Sequence, residues 1–210
     1  MPRREIIVGN PVLIVVDIQQ REFSEKSGDS GIPMMPGYVE RVSRTRELVD
    51  VAHVVGVPII FVKEVHRPDH VDFGRELDGS ESIHCIETNP LTDYAKEMDP
   101  RSTDYYISKR RYSCFFGTDL EILLKGLCAD TLILTGGLTD VCVHYTFADA
   151  HQHNYFCRVV EDCVAGSSRR AHDSALETME YLQTGARRTL VEVKDAFSRI
   201  ARDADKTVAE

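Results

Sequence analysis

Three residues of different chemical type follow, or come close after, apolar runs of strand length: Asp17 after Pro11–Val16, Lys109 after Thr103–Ile107, and Cys142 beyond Thr131–Thr135. A thiol becomes a strong nucleophile once it loses its proton. A carboxylate can take that proton and pass it to a leaving amine, and an ammonium group stabilises both anions. Cys142 stands near the start of a segment with helical spacing, Thr139–Gln152. Unpaired N–H groups and the dipole at a helix start favour a thiolate there. Acid, cation and thiol together are the parts of a nucleophilic hydrolase. Each also has a plainer reading: Asp17 as a turn or capping residue, Lys109 as a solvated cation, Cys142 as a small buried hydrophobe. Spacing alone does not say whether the three converge.

The elements that would bring them together alternate. Apolar runs of strand length stand at Pro11–Val16, Val57–Val62, Thr103–Ile107, Thr131–Thr135 and Phe156–Glu161. Helical spacing marks Tyr38–Val55, with Gly56 as its C-cap, then Asp119–Lys125, Thr139–Gln152, Arg169–Gln183 and Val191–Ile200. Thr189 and Glu192 have capping-box spacing before the last of these. Buried strands alternating with helices predict an α/β fold around a mostly parallel sheet, whose site lies at the carboxyl ends of the strands. Glu64 and His66 stand two apart beyond the second strand, which points both side chains to one face. The segment His66–Asp99 has no clear period, and a loop of that length is usually functional, such as a lid over its own or a neighbouring site. Within it Arg67, Asp72, Arg75 and Glu76 read as loop ion pairs. His144, His151 and His153 read as surface or subunit-contact residues, with Tyr145 and Phe147 at a subunit interface.

The chain has 210 residues, which suits a single domain over 1–210 with a core of its own. A net charge of −9 argues against a nucleic-acid or anionic-membrane footprint. No apolar run approaches the roughly 20 residues of a membrane span. Met1–Asn10 holds two arginines and no apolar core of a signal peptide, so a cytoplasmic protein is expected. The six cysteines form no C-x-x-C pair and read as free thiols, with Cys114, Cys128, Cys157 and Cys163 structural. Gly136-Gly137 reads as a turn, and no G-x-G-x-x-G accompanies it to suggest a dinucleotide site.

Four local strings go further: VLIVVDIQ (12–19), SKRRYSCFFGTDLEILL (108–124), TLILTGGLTDVCVHYTFADAHQHNY (131–155) and VVEDCVAGSSRRAHDSALETM (159–179). In this order they resemble the isochorismatase-like cysteine hydrolases, a family that includes nicotinamidases, N-carbamoylsarcosine amidases, ureidoacrylate amidohydrolases and biuret or triuret hydrolases. The resemblance implies a three-layer α/β/α sandwich and maps the catalytic set onto Asp17, Lys109 and Cys142. It implies an oxyanion hole from the backbone N–H groups of Leu138 and Cys142, with a cis peptide at Gly137–Leu138. The activity implied is hydrolysis of a C–N bond in a small amide or ureido compound through a thioester, in a homodimer or homotetramer with no cofactor. Alternatives are a nicotinamidase-type amidase and a non-catalytic binding member.

Phe23, Glu64, His66 and Gln183 are the implied substrate contacts, Gln183 because biuret-type relatives read a terminal carboxamide near this position. Many members carry D-x-Q-x-D-F after the first strand. Here the string is Asp17-Ile18-Gln19-Gln20-Arg21-Glu22-Phe23, with the aromatic one position later. Nicotinamidases hold a divalent ion after the second strand. Glu64, His66 and either His70 or His84 would be the corresponding set, but with Glu for Asp and a different histidine spacing, so no metal is expected.

Overall fold

Within β1 (Pro11–Val16) successive side chains go to opposite faces, and both faces are buried. Val12, Ile14 and Val16 join one core, and Leu13 and Val15 join the other. A strand buried on both sides needs helices above and below it, and that requirement organises the molecule. The computed structural model describes residues 5–24 and 31–208. The described strands form one parallel sheet in the order β3-β2-β1-β4-β5-β6, with β2 at Ile59–Glu64, β3 at Tyr105–Lys109, β4 at Thr131–Gly137, β5 at Phe156–Ala165 and β6 at Arg187–Arg188. Helices α1 (Tyr38–Ser43), α2 (Thr45–Val55) and α6 (Leu190–Val208) cover one face. Helices α3 (Leu120–Gly126), α4 (His144–Gln152) and α5 (Arg169–Leu182) cover the other. This is the α/β sandwich that the sequence predicts.

The chain leaves β1 toward β2 on one side and returns to β4 on the other. The order therefore reverses between β1 and β4, and a crevice opens at their carboxyl ends. Asp17 ends β1, and the turn carrying Cys142 follows β4.

Several boundaries differ from expectation, each for a local reason. The segment Tyr38–Val55 is two helices that meet at Arg44, and Gly56 closes the second with φ of 75°. Strand β2 begins two residues later than its apolar run and carries Glu64 as its last residue, while β3 carries Lys109 as its last. The two-residue β6 is too short to leave a pattern. The segment 66–99 packs as short turns, tied to the body by a bridge between Gln19 and Tyr94 and closed on itself by one between His66 and Ile86. The Thr189–Glu192 capping box forms as expected.

Candidate active site

Lys109, fully buried at the end of β3, organises the crevice. Its Nζ lies 2.8 Å from Asp17 Oδ2, 2.8 Å from Glu64 Oε2 and 3.4 Å from Cys142 Sγ. The groups come from the ends of β1, β2 and β3 and from the turn after β4, so strand order alone brings them together. Asp17 adopts φ of 49°, which aspartate tolerates better than most residues, and its N–H donates to Val62 O. The Gly137–Leu138 peptide is cis. At Gly136, with φ of 102°, a Cβ would meet Val16 O at 1.9 Å, so only glycine lets β4 leave the sheet this close to β1.

The turn that carries the thiol is a π-helical segment, Thr139–Val143, rather than the regular helix start that its spacing suggests. Leu138 O accepts from both Val141 N and Val143 N. Two contacts fix the turn from outside. Thr139 Oγ1 lies 2.9 Å from Nδ1 of the buried His172, and Asp140 accepts from the Ser167 N–H and hydroxyl.

Burial pushes the Cys142 thiol well above its usual range. The Lys109 ammonium opposes this, but the Asp17 and Glu64 carboxylates reinforce it. The thiol is therefore protonated at rest, contrary to the thiolate that a helix start and a neighbouring lysine would suggest. The two carboxylates on Lys109 are driven apart. Burial raises Asp17, and the Glu64 charge adds to the rise against the pull of Lys109. Glu64 is equally buried, but Lys109 and hydrogen bonds with His66 and His84 outweigh burial and hold it well below its usual range. Glu64 is thus the standing counter-charge of the lysine, and Asp17 is the group able to carry a proton. Asp17 has no aligned hydrogen bond among the described residues despite its closeness to Lys109, which leaves its oxygens open to the thiol.

Behind Glu64 lies a second cluster. Glu64 Oε1 is 2.8 Å from His84 Nε2 and 3.1 Å from His66 Nε2, and Glu76 Oε2 is 3.1 Å from His66 Nε2. All four residues are buried, and one ligand atom from each falls within 4.8 Å of the others. The set fits a divalent ion: two imidazoles and two carboxylates converge, and His84 Nδ1 donates to Ser82 O, which turns its Nε2 lone pair toward the cluster. With protons instead of an ion the set closes as ion pairs, and the two carboxylates raise His66, against burial, to about 9. Glu76 is therefore no surface loop pair. His70 is exposed and outside the cluster.

The cleft above the thiol encloses about 410 Å³ including its open mouth, but only about 30 Å³ is clear inside. Segment 66–99 supplies Glu81 and His84 to this cleft, and Arg21, Glu22 and Tyr38 come from the stretch between β1 and α2.

Three expected contacts lie elsewhere. His66 is fully buried in the cluster behind Glu64, pinned by Glu64 and Glu76, and does not line the cleft. Phe23 is absent from the lining and packs against the core beneath α1 and α2, because the turn Gln20–Phe23 presents Arg21 and Glu22 instead. Gln183 is bound at the opposite end of β5: its Oε1 accepts from Cys157 N and Arg158, and its Nε2 donates to Tyr155 O. Every part of its amide is committed there, so it reads no substrate in this cleft. Phe147 is fully buried in the core and forms no interface, whereas Tyr145 is exposed. Sequence reasoning missed Arg21, Glu76 and Glu81. None of the three carried a signal of its own in the sequence.

The sequence profile of the isochorismatase domain matches residues 11–192. The maleamate amidohydrolase of Pseudomonas putida is 27% identical over 169 residues, covering 79% of this chain and 77% of the relative. The ureidoacrylate amidohydrolase RutB of Yersinia enterocolitica is 31% identical over 171 residues, covering 71% and 73%. Among solved structures, a cysteine hydrolase from Pseudomonas syringae pv. phaseolicola superposes with a TM-score of 0.81 at 25% identity, covering 94% of this chain and 97% of that one.

Proposed function

The chain belongs to the isochorismatase family, and on that premise we propose that it hydrolyses the C–N bond of a small amide or ureido compound, with Cys142 as nucleophile and Asp17 as proton carrier. The Pseudomonas putida and Yersinia enterocolitica relatives named above are amidohydrolases acting on non-peptide C–N bonds. The observation that carries the reading is the buried contact set of Lys109, with Asp17 at 2.8 Å and Cys142 at 3.4 Å.

In this reading Asp17 takes the thiol proton as Cys142 Sγ attacks the carbonyl carbon. The new oxyanion rests on the N–H groups of Leu138 and Cys142. Asp17 then returns the proton to the leaving nitrogen, and ammonia departs to leave a thioester. Asp17 next draws a proton from water, whose oxygen attacks the thioester. The acid is released and the thiol re-forms. Lys109 stabilises the thiolate as it forms, and Glu64 keeps the lysine charged and in place. A divalent ion, if bound, would be held by Glu64, His66, Glu76 and His84, and it would supply a Lewis acid beside the cleft.

The substrate classes this reading favours are carbamoyl amino acids and ureidoacrylate-type compounds. The biuret and triuret class loses its specific support with Gln183 committed to β5. The test is ammonia release from biuret, triuret, N-carbamoylsarcosine, ureidoacrylate, nicotinamide and maleamate, with Cys142→Ala as the blank. Turnover by the wild type and none by the variant is expected. Undiminished turnover by clean, folded Cys142→Ala would end the nucleophile assignment.

A further inference from the structure

Among the described residues, Arg21 is the one arginine lining the cleft. Its side chain is only 13% exposed. Glu22 fixes it from one side: Arg21 Nε donates to Glu22 Oε1 at 3.0 Å, and the other Glu22 oxygen accepts from the Gln19 N–H at 2.7 Å. That pairing uses a single N–H of the guanidinium. Among the described residues the two terminal nitrogens have no partner, yet neither is sealed from the space beside it. An arginine present only to neutralise Glu22 would turn its fork onto both carboxylate oxygens. Here the fork is left over, held by a buried carboxylate, in the same cleft as Cys142.

The remaining charges in the cleft are sorted. Lys109 answers Glu64 and Asp17, and Arg21 answers Glu22. Glu81 has no ion pair among the described residues, and burial raises its carboxyl. Arg21 thus offers the cleft donors in a planar fork, and Glu81 offers it an acceptor for N–H groups. We propose that Arg21 is a specificity-determining residue that docks a carboxylate of the substrate, so that the substrate is a small amido or ureido acid and not a neutral amide. This rests on the C–N hydrolase reading and narrows it.

The test compares an acid with its own ester, N-carbamoylglycine against N-carbamoylglycine methyl ester, by ammonia release. The wild type is expected to prefer the acid. Arg21→Gln should lower kcat/KM for the acid roughly 10- to 100-fold, chiefly through KM, and bring the acid-to-ester ratio near one. Arg21→Lys retains a cation for Glu22 without the fork and should lose part of the preference. It also serves if Arg21→Gln does not fold. A wild type that takes the ester as well as the acid, or a folded Arg21→Gln with the preference intact, overturns the proposal.

A second readout separates this from failure of the chemistry. Maleate should bind Cys142→Ala in calorimetry and bind Cys142→Ala/Arg21→Gln at least 10-fold more weakly. Maleate binding that depends on Arg21, with no ammonia from any compound, leaves the carboxylate site standing and removes the hydrolase reading. Ammonia release without dependence on Arg21 does the reverse.

Discussion

At the scale of single residues, the candidate chemistry depends on one ammonium shared by two carboxylates and a thiol. Removing different members should therefore have different consequences. Asp17→Asn keeps the size and the contact with Lys109 but cannot take a proton. Activity is expected to fall roughly 100- to 10,000-fold with little change in the urea midpoint. Lys109→Met leaves Asp17 and Glu64 buried without their counter-charge, and breaking such a set costs about 3–5 kcal/mol. That variant should lose stability as well as turnover, measured by urea denaturation beside the ammonia assay. Equal stability losses in the two variants would argue against the division of labour drawn here. Asp17, Lys109 and Cys142 stood out in the sequence as candidates after or close to apolar runs, but their meeting was implied only by the family resemblance and not by spacing. The reach of Glu64 to the lysine was not legible there, because it depends on β2 ending at residue 64 and on the length of a glutamate side chain. Arg21 and Glu76 were hidden for a related reason: only the folded turns decide which loop side chains face inward.

At the scale of elements, the Thr139–Val143 turn is held by α5 as much as by β4. His172 of α5 meets Thr139 through Nδ1, and its Nε2 lies 3.3 Å from Arg41 Nη2 of α1. The arginine donates, so Nε2 accepts and Nδ1–H donates to the threonine. Only a neutral imidazole makes both bonds. Burial, then Arg41 and Arg169, lower His172 to about 4, against the weaker opposing pull of Asp173 and Asp140. The sign follows. Between pH 4 and its ordinary value near 6.5, the unfolded chain binds a proton at His172 that the folded chain refuses. Stability contributed here is therefore present above that window and is lost as pH falls through it. The urea midpoint of the wild type should drop from pH 6.5 toward 4.5 more steeply than that of His172→Gln, and parallel curves would refute the assignment. None of this was readable beforehand. The spacing at Thr139–Gln152 marks a helix but not its π-helical first turn, and the packing of α5 onto that turn is a long-range contact. The strands were read more reliably, since a run buried on both faces has few other outcomes.

At the scale of the whole molecule, the sheet divides the interior into two cores, and the cysteines sample both. Cys114 and Cys157 lie in the core beneath α3, α4 and α5. Cys163 lies in the core beneath α1, α2 and α6. Cys85 is buried in the long segment after β2, and Cys128 is exposed. The apolar run at the start of β5 was legible in the sequence, but the assignment of Cys157 and Cys163 to different cores depended on the exact register of that strand. Because β1, β4 and β5 are shared by both cores, neither layer of helices can leave without exposing the other face of the same strands. Unfolding should then be a single transition. The folded protein is expected to take iodoacetamide rapidly at Cys128. Cys142 should follow slowly and faster with rising pH, because its buried thiol is held above the usual range yet opens onto the cleft. Cys114, Cys157 and Cys163 should become reactive only in urea and all at one concentration, read by mass spectrometry of the labelled peptides. If Cys163 reacted at lower urea than Cys114 and Cys157, the layer of α1, α2 and α6 would be separating on its own. The shared strands would then not couple the two cores in the way their burial implies.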